Sequence, residues 1–186
     1  TPSHPSHPHD IPLRCFGTTI RYYRQHRHLS QRALATKTGL SASYLSTIEL
    51  GKQNASVLLL LRLAHALSIP SAWLLTRLQS NDPPPPLGAQ AAGTDITHLL
   101  TPEDQTALLL LLGATLRQYR QHRRLSQRAL AVKTDLDASY IGQVERGGRN
   151  ITILNLIRIA DALDLSMNHL FTVLDSYQRF SPLLPK

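Results

Sequence analysis

The sequence predicts an all-α protein with two tandem domains of the same fold. Apolar residues recur at helical spacing, and no segment of useful length alternates apolar and polar residues as a β-strand would. Residues 17–78 align without a gap with residues 113–174, and 33 of the 62 aligned positions are identical. A proline-rich stretch separates the two copies. These observations predict two five-helix domains joined by a connector.

Composition indicates where the two domains begin and end. The first domain is expected at residues 14–79 and the second at residues 101–176. Between them, residues 80–100 include four consecutive prolines and few large apolar side chains. Because such a segment cannot build a core, we expect an exposed connector with an extended and fairly stiff tetraproline.

The first dozen residues of the chain have too little apolar content to fold. Residues 1–13, where His4, His7 and His9 are interleaved with proline, are expected to form a disordered arm, and residues 177–186 a C-terminal tail. Nothing in the arm would hold its histidines in the geometry that a metal ion needs. We therefore expect no metal site there.

The bulk composition narrows the classes of partner and function. The formal net charge of +8 favours a polyanionic partner. No apolar stretch reaches the roughly 20 residues that a membrane-spanning helix needs, and the single cysteine, Cys15, cannot form an intramolecular disulfide. We expect a cytoplasmic protein without membrane association. Because the sequence has no metal-spaced histidine cluster and no phosphate-binding glycine loop, we expect neither an enzyme nor a cofactor.

Each copy begins with two helices that are separated by a capped turn. In the first copy, helix one is expected at residues 16–28 and helix two at residues 31–38, with the Ser30 hydroxyl as the N-cap of helix two. A sharp turn follows at Gly39, which corresponds to Asp135 in the second copy. Because glycine and aspartate both tolerate the left-handed backbone, we expect that conformation at both positions.

A third helix follows the turn, at residues 42–50 and 138–146, after the N-cap residues Ser41 and Asp137. Its apolar positions should anchor it on the core, namely Leu45 and Ile48 in one copy and Ile141 and Val144 in the other. Short side chains are left on the outer face and let the helix enter a major groove: Ala42, Ser43, Ser46, Thr47, Ala138, Ser139, Gly142 and Gln143.

The segment LSQRALA, then a turn, then SYLSTIELGKQNAS, resembles the Cro/C1 (XRE) family of repressors that includes the lambda and 434 proteins. The resemblance covers residues 16–78 and 112–174. It implies two lambda-repressor-like helix-turn-helix domains that bind double-stranded DNA. By position, it implies that Ala42, Ser43 and Thr47, with Ala138, Ser139 and Gln143, face the bases.

The resemblance and the nearby basic residues also predict a set of phosphate contacts. Gln31 and Gln127 begin helix two, where the family holds a phosphate, whereas Tyr44 and Tyr140 could either reach a phosphate or cover the edge of the core. Leu50 stands where the second copy has an arginine, so the first copy lacks one expected contact. The full predicted set is Gln31, Arg32, Tyr44, Lys52, Asn54, Gln127, Arg128, Tyr140, Arg146, Arg149 and Asn150.

Two charged pairs have a structural role by the same resemblance. Arg24 with Glu49, and Arg120 with Glu145, are implied to be ion pairs that brace helix one against helix three. Removing one partner of a buried pair costs about 3 to 5 kcal/mol, so a substitution there would imitate a DNA-binding defect by unfolding the domain.

A leucine run predicts an interface outside the DNA-binding face. Leu108, Leu109, Leu110, Leu111 and Leu112 are apolar on every side of a helix, which a small domain cannot cover alone. We expect contact with the first domain or a homodimer. Leu59 is the apolar counterpart of Asn155, and is either part of a protein interface or an incidental surface leucine.

The predicted function is that of a sequence-specific transcription regulator, and by analogy a repressor. The alternative is an antitoxin or adaptor that uses the same fold to bind a protein partner. The third helices differ at Thr47 and Gln143. A glutamine amide can pair with one adenine edge whereas threonine tolerates several bases, so we expect the two half-sites to differ.

Overall fold

The computed structural model describes residues 10–75, 84–86 and 101–180. The chain divides into two compact units, which correspond in the main to the two sequence copies. Every regular element in the described residues is helical, which confirms the all-α prediction. None of these helices has the length and apolar character needed to cross a membrane.

The first unit contains four α-helices and a short 3-10 helix. The elements are α1 (Asp10–His26), α2 (Gln31–Thr38), α3 (Ala42–Glu49), α4 (Val57–Ala66) and the 3-10 helix Ser71–Leu75. They enclose a core in which Phe16, Ile20, Leu34, Leu60 and Leu63 are fully buried. Ser30 caps α2, because its Oγ accepts a hydrogen bond from the amide of Ala33 at 3.0 Å.

The second unit contains five α-helices. They are α5 (Pro102–His122), α6 (Gln127–Thr134), α7 (Ala138–Glu145), α8 (Ile153–Ala162) and α9 (Met167–Phe180). Residues 177–180 are helical, so the prediction that the C-terminal tail begins at residue 177 is wrong. The predicted tail at residues 181–186 lies outside the described residues.

The first helix starts earlier than the sequence predicts. The predicted disordered arm included residues 10–13, but α1 begins at Asp10 and Leu13 is only 8% exposed. Leu13 precedes Phe16 by three positions, so it extends the apolar stripe that continues through Ile20, and burial of that stripe stabilises the extra turn. Residues 1–9, with the three histidines, lie outside the described residues.

The turns between helices two and three have the predicted backbone conformation. Gly39 has φ of 66° and Asp135 has φ of 53°, and both end their helices in the left-handed region. The prediction from residue type is therefore confirmed at both positions. This geometry directs the chain from α2 into α3, and from α6 into α7, across only three intervening residues.

Glycine allows helix one to cross closely over helix three in each unit. A Cβ atom at Gly17 would lie 2.7 Å from the carbonyl oxygen of Glu49, and one at Gly113 would lie 2.7 Å from that of Glu145. Real Cβ atoms do not approach backbone so closely. The third helix of each unit is therefore held against a position where only glycine fits.

Part of the proline segment belongs to the first unit. Pro84 is buried, and the Tyr23 hydroxyl donates a hydrogen bond to the carbonyl oxygen of Pro85 at 2.9 Å. The prediction of an exposed connector is wrong at Pro84. A proline ring is apolar and can be buried, and the carbonyl of the next proline accepts the hydrogen bond from Tyr23.

The Tyr23 ring stacks on Trp73 with centroids 6.0 Å apart. Burial, with the neighbouring Tyr22, raises the pKa of Tyr23. Connector residues 80–83 and 87–100 lie outside the described residues.

We expect Tyr23→Phe to destabilise the first unit by about 0.5 to 1.5 kcal/mol, since it removes one hydrogen bond and leaves the Pro85 carbonyl without that donor. Urea unfolding of the full chain measures the change. Tyr119→Phe is the matched control, because Tyr119 is half-buried at the equivalent position and contacts His169 ring to edge. Equal losses in the two variants would contradict a specific role for the Pro85 contact.

The leucine run on α5 is less exposed than its composition suggests. Leu108 and Leu112 are buried within the single chain, Leu109 and Leu111 are half-buried, and Leu110 is 50% exposed. A second subunit is therefore not needed to cover Leu108 or Leu112. Leu59 is also buried, so its interpretation as an incidental surface leucine is wrong.

Candidate nucleic-acid interface

Helices α3 and α7 are anchored along one side only. Leu45, Ile48, Ile141 and Val144 are each no more than 2% exposed, which confirms the predicted inward face. The N-caps are formed by side chains, since Ser41 Oγ accepts from the amide of Tyr44 at 3.1 Å and Asp137 accepts from Ser139 and Tyr140. Most side chains along the opposite side of each helix are exposed or half-buried.

The predicted base-reading row is outward in seven of its eight positions. Ser43, Ser139 and Gln143 are exposed, and Ala42, Ser46, Thr47 and Ala138 are half-buried. The prediction is wrong for Gly142, which is buried. A Cβ atom at this position would lie 3.2 Å from Arg146 Nη1 and 3.4 Å from Gln127 Oε1. Both side chains extend over the glycine because it has no side chain of its own.

Two hydroxyl groups on α3 have partners in the helix or at its N-cap. Thr47 Oγ1 donates to the carbonyl of Tyr44 at 2.7 Å, and Ser43 Oγ lies 3.1 Å from Ser41 Oγ. Thr47 therefore offers lone pairs and a methyl group outward.

The N-cap of α7 is a charged carboxylate. Hydrogen bonds from the side chain of Ser139 and from the amides of Ser139 and Tyr140 hold the pKa of Asp137 below its usual value.

An arginine, a glutamate and a glutamine form the same cluster behind each of these helices. Arg24 Nε and Nη2 contact the Glu49 carboxylate at 2.6 and 3.0 Å, and Arg120 makes the same contacts with Glu145 at 2.5 and 2.8 Å. Both pairs are buried. Each arginine also donates to a carbonyl before helix two, at Leu29 or Leu125. The predicted ion pairs thus join helix one, helix three and the turn.

The charged state is favoured within the second cluster. Burial opposes ionisation of Glu145, but hydrogen bonds from Arg120 and Gln127 and the nearby arginine charges outweigh it, so the pKa of Glu145 is lowered. The hydrogen bond to Glu145 raises the pKa of Arg120. Geometry and electrostatics therefore agree that this pair is ionised near neutral pH.

The two glutamines predicted as phosphate contacts are the third members of these clusters. Gln31 Nε2 and Gln127 Nε2 donate to Glu49 and Glu145 at 2.9 Å. This contact orients each amide at the start of helix two and leaves the second amide hydrogen available. In the first unit, an open recess of about 420 Å³ adjoins this point, and its lining includes Arg21, Gln31, Ser46 and Leu50.

Most of the predicted phosphate contacts lie at the surface. Arg32, Lys52, Arg128, Arg146, Arg149 and Asn150 are exposed, whereas Tyr44, Asn54 and Tyr140 are half-buried. The two tyrosines lie on the third helices with part of the ring covered, which is compatible with both interpretations of their role.

Four side chains form a connected chain that the second unit alone has. Asn155 Nδ2 donates to Tyr140 Oη at 3.2 Å, the Arg149 guanidinium lies 5.0 Å from the centre of the Tyr140 ring, and Arg149 Nη1 donates to Gln143 Oε1 at 3.4 Å. The corresponding residues of the first copy are Leu59, Tyr44, Gln53 and Thr47, which cannot make these contacts.

The fold and this surface define a helix-turn-helix protein of the DNA-binding class. The helix-turn-helix family model matches twice, at residues 20–74 and 116–170, more than half of the chain. The chain therefore belongs to the Cro/C1-type helix-turn-helix family of DNA-binding transcription regulators.

Several relatives and solved structures are control proteins. Control protein C.SmaI of Serratia marcescens is 44% identical over 62 residues, which are 33% of this chain and 74% of that protein. Control protein C.BamHI of Bacillus amyloliquefaciens is 42% identical over 55 residues, 29% of this chain and 68% of that protein. The crystal structure of the restriction-modification controller protein C.AhdI from Aeromonas hydrophila matches 35% of this chain and 97% of its own, with 42% identity and a TM-score of 0.33.

Three features of the site were missed from the sequence. The retention of Gly17 and Gly113 inside helix one was a usable signal, because glycine is costly in a helix and implies a close approach. The glutamine contacts with glutamate had no signal in their spacing, since 18 residues separate the partners. The contact between Arg149 and Gln143 also had no signal in the sequence, because it depends on how the loop after α7 folds back onto the helix.

Proposed function

We propose that this protein is a sequence-specific transcription repressor that inserts α3 and α7 into major grooves of double-stranded DNA. The observation that carries the proposal is the one-sided anchoring of both helices. Each has a buried apolar side, an outer row of short polar side chains, and exposed basic residues nearby, Arg32 and Lys52 in one unit and Arg128 and Arg146 in the other. A helix with this profile can approach base edges while the cations contact phosphates.

Both units are included in the proposal because both keep the same supporting parts. The arginine, glutamate and glutamine cluster occurs behind α3 and behind α7 with nearly equal distances. The cluster fixes helix two and helix three relative to each other. A binding surface formed by both helices requires this fixed arrangement. We therefore expect a footprint longer than one half-site, and we retain the homodimer as part of the proposal, with the half-exposed Leu110 available at the surface.

Selection of bound duplexes from a random DNA pool tests sequence-specific binding by the full chain. A selected sequence with two half-sites supports the proposal, and light scattering of the complex gives the number of chains. If no sequence is enriched and the protein instead copurifies in a fixed ratio with another protein, the antitoxin or adaptor function replaces it. A reporter with the selected sequence over its promoter tests repression, since activation would raise expression.

We expect Ser43→Asp and Ser139→Asp each to weaken binding to the selected duplex by tenfold or more, because a carboxylate on the groove-facing row meets DNA phosphates at close range. Both serines are exposed in the first turn of their helix, where an acidic residue favours the helix. Folding should therefore be preserved for Ser43→Asp, whereas Ser139→Asp also removes a hydrogen bond to the N-cap Asp137 and places a second carboxylate near it, so urea unfolding of both variants accompanies the binding measurement. Ser176→Asp, on α9, is the control that adds the same charge on another helix. Equal losses in all three variants would indicate a general charge effect and would count against groove insertion.

A further inference from the structure

We propose that Gln143 and Arg149 act together as a single reader of guanine in the half-site bound by the second unit. This inference rests on the proposed function, since it assigns a base to one position of the groove-facing row. It makes Arg149 a specificity-determining residue. It also changes the base expected opposite position 143 from adenine, which a glutamine without a partner would favour, to guanine.

Arg149 is held in place although it is exposed. Its guanidinium lies 5.0 Å from the centre of the Tyr140 ring, within the range of a cation-π contact. The Tyr140 hydroxyl in turn accepts a hydrogen bond from Asn155 at 3.2 Å, which connects the ring to α8. An arginine positioned before DNA arrives loses less side-chain entropy on binding than a free one.

The contact with Arg149 orients the Gln143 amide. Its Oε1 accepts from Arg149 Nη1 at 3.4 Å, so the Nε2 group points away from the arginine with its donor hydrogens. The remaining N–H groups of the guanidinium are also donors. The pair therefore presents donors to the groove, and its one acceptor lies beside a positive charge.

Donors on Gln143 and Arg149 require acceptors on the base edge that they meet in the major groove. Guanine presents two acceptors there, N7 and O6, whereas adenine presents an N7 acceptor and an N6 amino donor. An adenine amino group would compete with Arg149 for Gln143 Oε1 and would face the guanidinium charge. Guanine is therefore the base that fits the pair.

The first unit supplies an internal contrast. Thr47, Gln53 and Leu59 occupy the positions of Gln143, Arg149 and Asn155. Without the arginine and the amide there is no donor pair, so the guanine preference should occur in one half-site only. The two domains would then read an asymmetric sequence despite their common fold.

Full-length protein and duplexes that differ at single positions of the selected site test the inference. At one base pair of the second half-site, we expect the unmodified chain to bind guanine at least about tenfold more tightly than adenine. Arg149→Gln, which installs the residue of the first copy, should shift that preference to adenine, because it frees Gln143 Oε1. Asn155→Leu should reduce the guanine preference without abolishing binding, since Asn155 acts only through Tyr140.

Gln53→Arg is the matched control in the first unit. It adds an arginine at the position equivalent to Arg149, but Thr47, the equivalent of Gln143, has no amide to pair with it, so the variant should strengthen binding to all duplexes without a new guanine preference. Circular dichroism should be unchanged for Arg149→Gln because Arg149 is exposed, and the free energy of unfolding in urea should fall by no more than about 1 kcal/mol, the size of an exposed cation-π contact.

Different results would overturn the guanine inference and the proposed function. If Arg149→Gln weakens binding to matched, mismatched and random duplexes by the same factor, Arg149 contacts phosphate only and the inference is overturned while DNA binding stands. If the unmodified chain enriches no sequence from a random pool, the proposed function itself fails.

Discussion

Replacing Glu145 with alanine is expected to lower the free energy of unfolding of the second unit by about 3 to 5 kcal/mol. The Arg120 guanidinium is buried and makes two contacts with this carboxylate, so the substitution leaves a buried positive charge without its partner. Gln127 loses its acceptor in the same step. Urea unfolding of the full chain measures the loss, and Glu49→Ala should give a similar loss in the first unit.

The control for this variant is Glu103→Ala, which removes an exposed carboxylate from the first turn of α5. It should change stability little. If Glu145→Ala instead weakened DNA binding with an unchanged free energy of unfolding, Glu145 would have to contact the DNA directly and the bracing role would be wrong.

The lowered pKa of Glu145 also predicts an acid-sensitive second unit. A carboxyl whose pKa is lower in the folded than in the unfolded chain stabilises the fold at pH values above its unfolded pKa, about 4.3 for glutamate. That stabilisation is lost as the pH falls through the lowered folded value. Glu145→Gln should flatten this part of the stability profile, and acid titration of the variant measures it.

Replacing Gly113 with alanine is the second change with a large expected effect. The new Cβ atom would lie 2.7 Å from the carbonyl oxygen of Glu145, so α5 and α7 must separate. We expect a loss of about 1 to 3 kcal/mol, against the roughly 1 kcal/mol that alanine ordinarily gains over glycine in a helix. Thermal unfolding measures the net change, and DNA affinity should fall with it because α7 carries the proposed reading face.

Gly148→Ala is the matched control within the same unit. A Cβ atom there would be 3.6 Å from the carbonyl oxygen of Gln143, an ordinary van der Waals contact. Stability should therefore be almost unchanged. If Gly113→Ala stabilised the protein, α5 and α7 would have room for a Cβ atom between them. Close approach of the helices would then not explain Gly113 or its equivalent, Gly17.

Local features of the site were predictable from residue type and spacing. The cap at Ser30, the left-handed turn at Gly39 and Asp135, and the buried pair Leu45 and Ile48 depend on a few neighbouring residues, whose preferences are strong. The ion pair of Arg24 with Glu49 required the family resemblance, because spacing alone does not bring residues 25 positions apart together.

The sequence by itself determined the all-α class, the duplication and the helix that faces outward in each copy, because helical period and capping are local properties. Tertiary structure alone decided that Gly142 is covered by Arg146 and Gln127, that Pro84 is buried, and that Arg149 contacts Gln143. These outcomes depend on which long side chains and loop atoms reach a vacant space after the helices have packed. Such contacts between distant residues leave no periodic pattern in a single sequence.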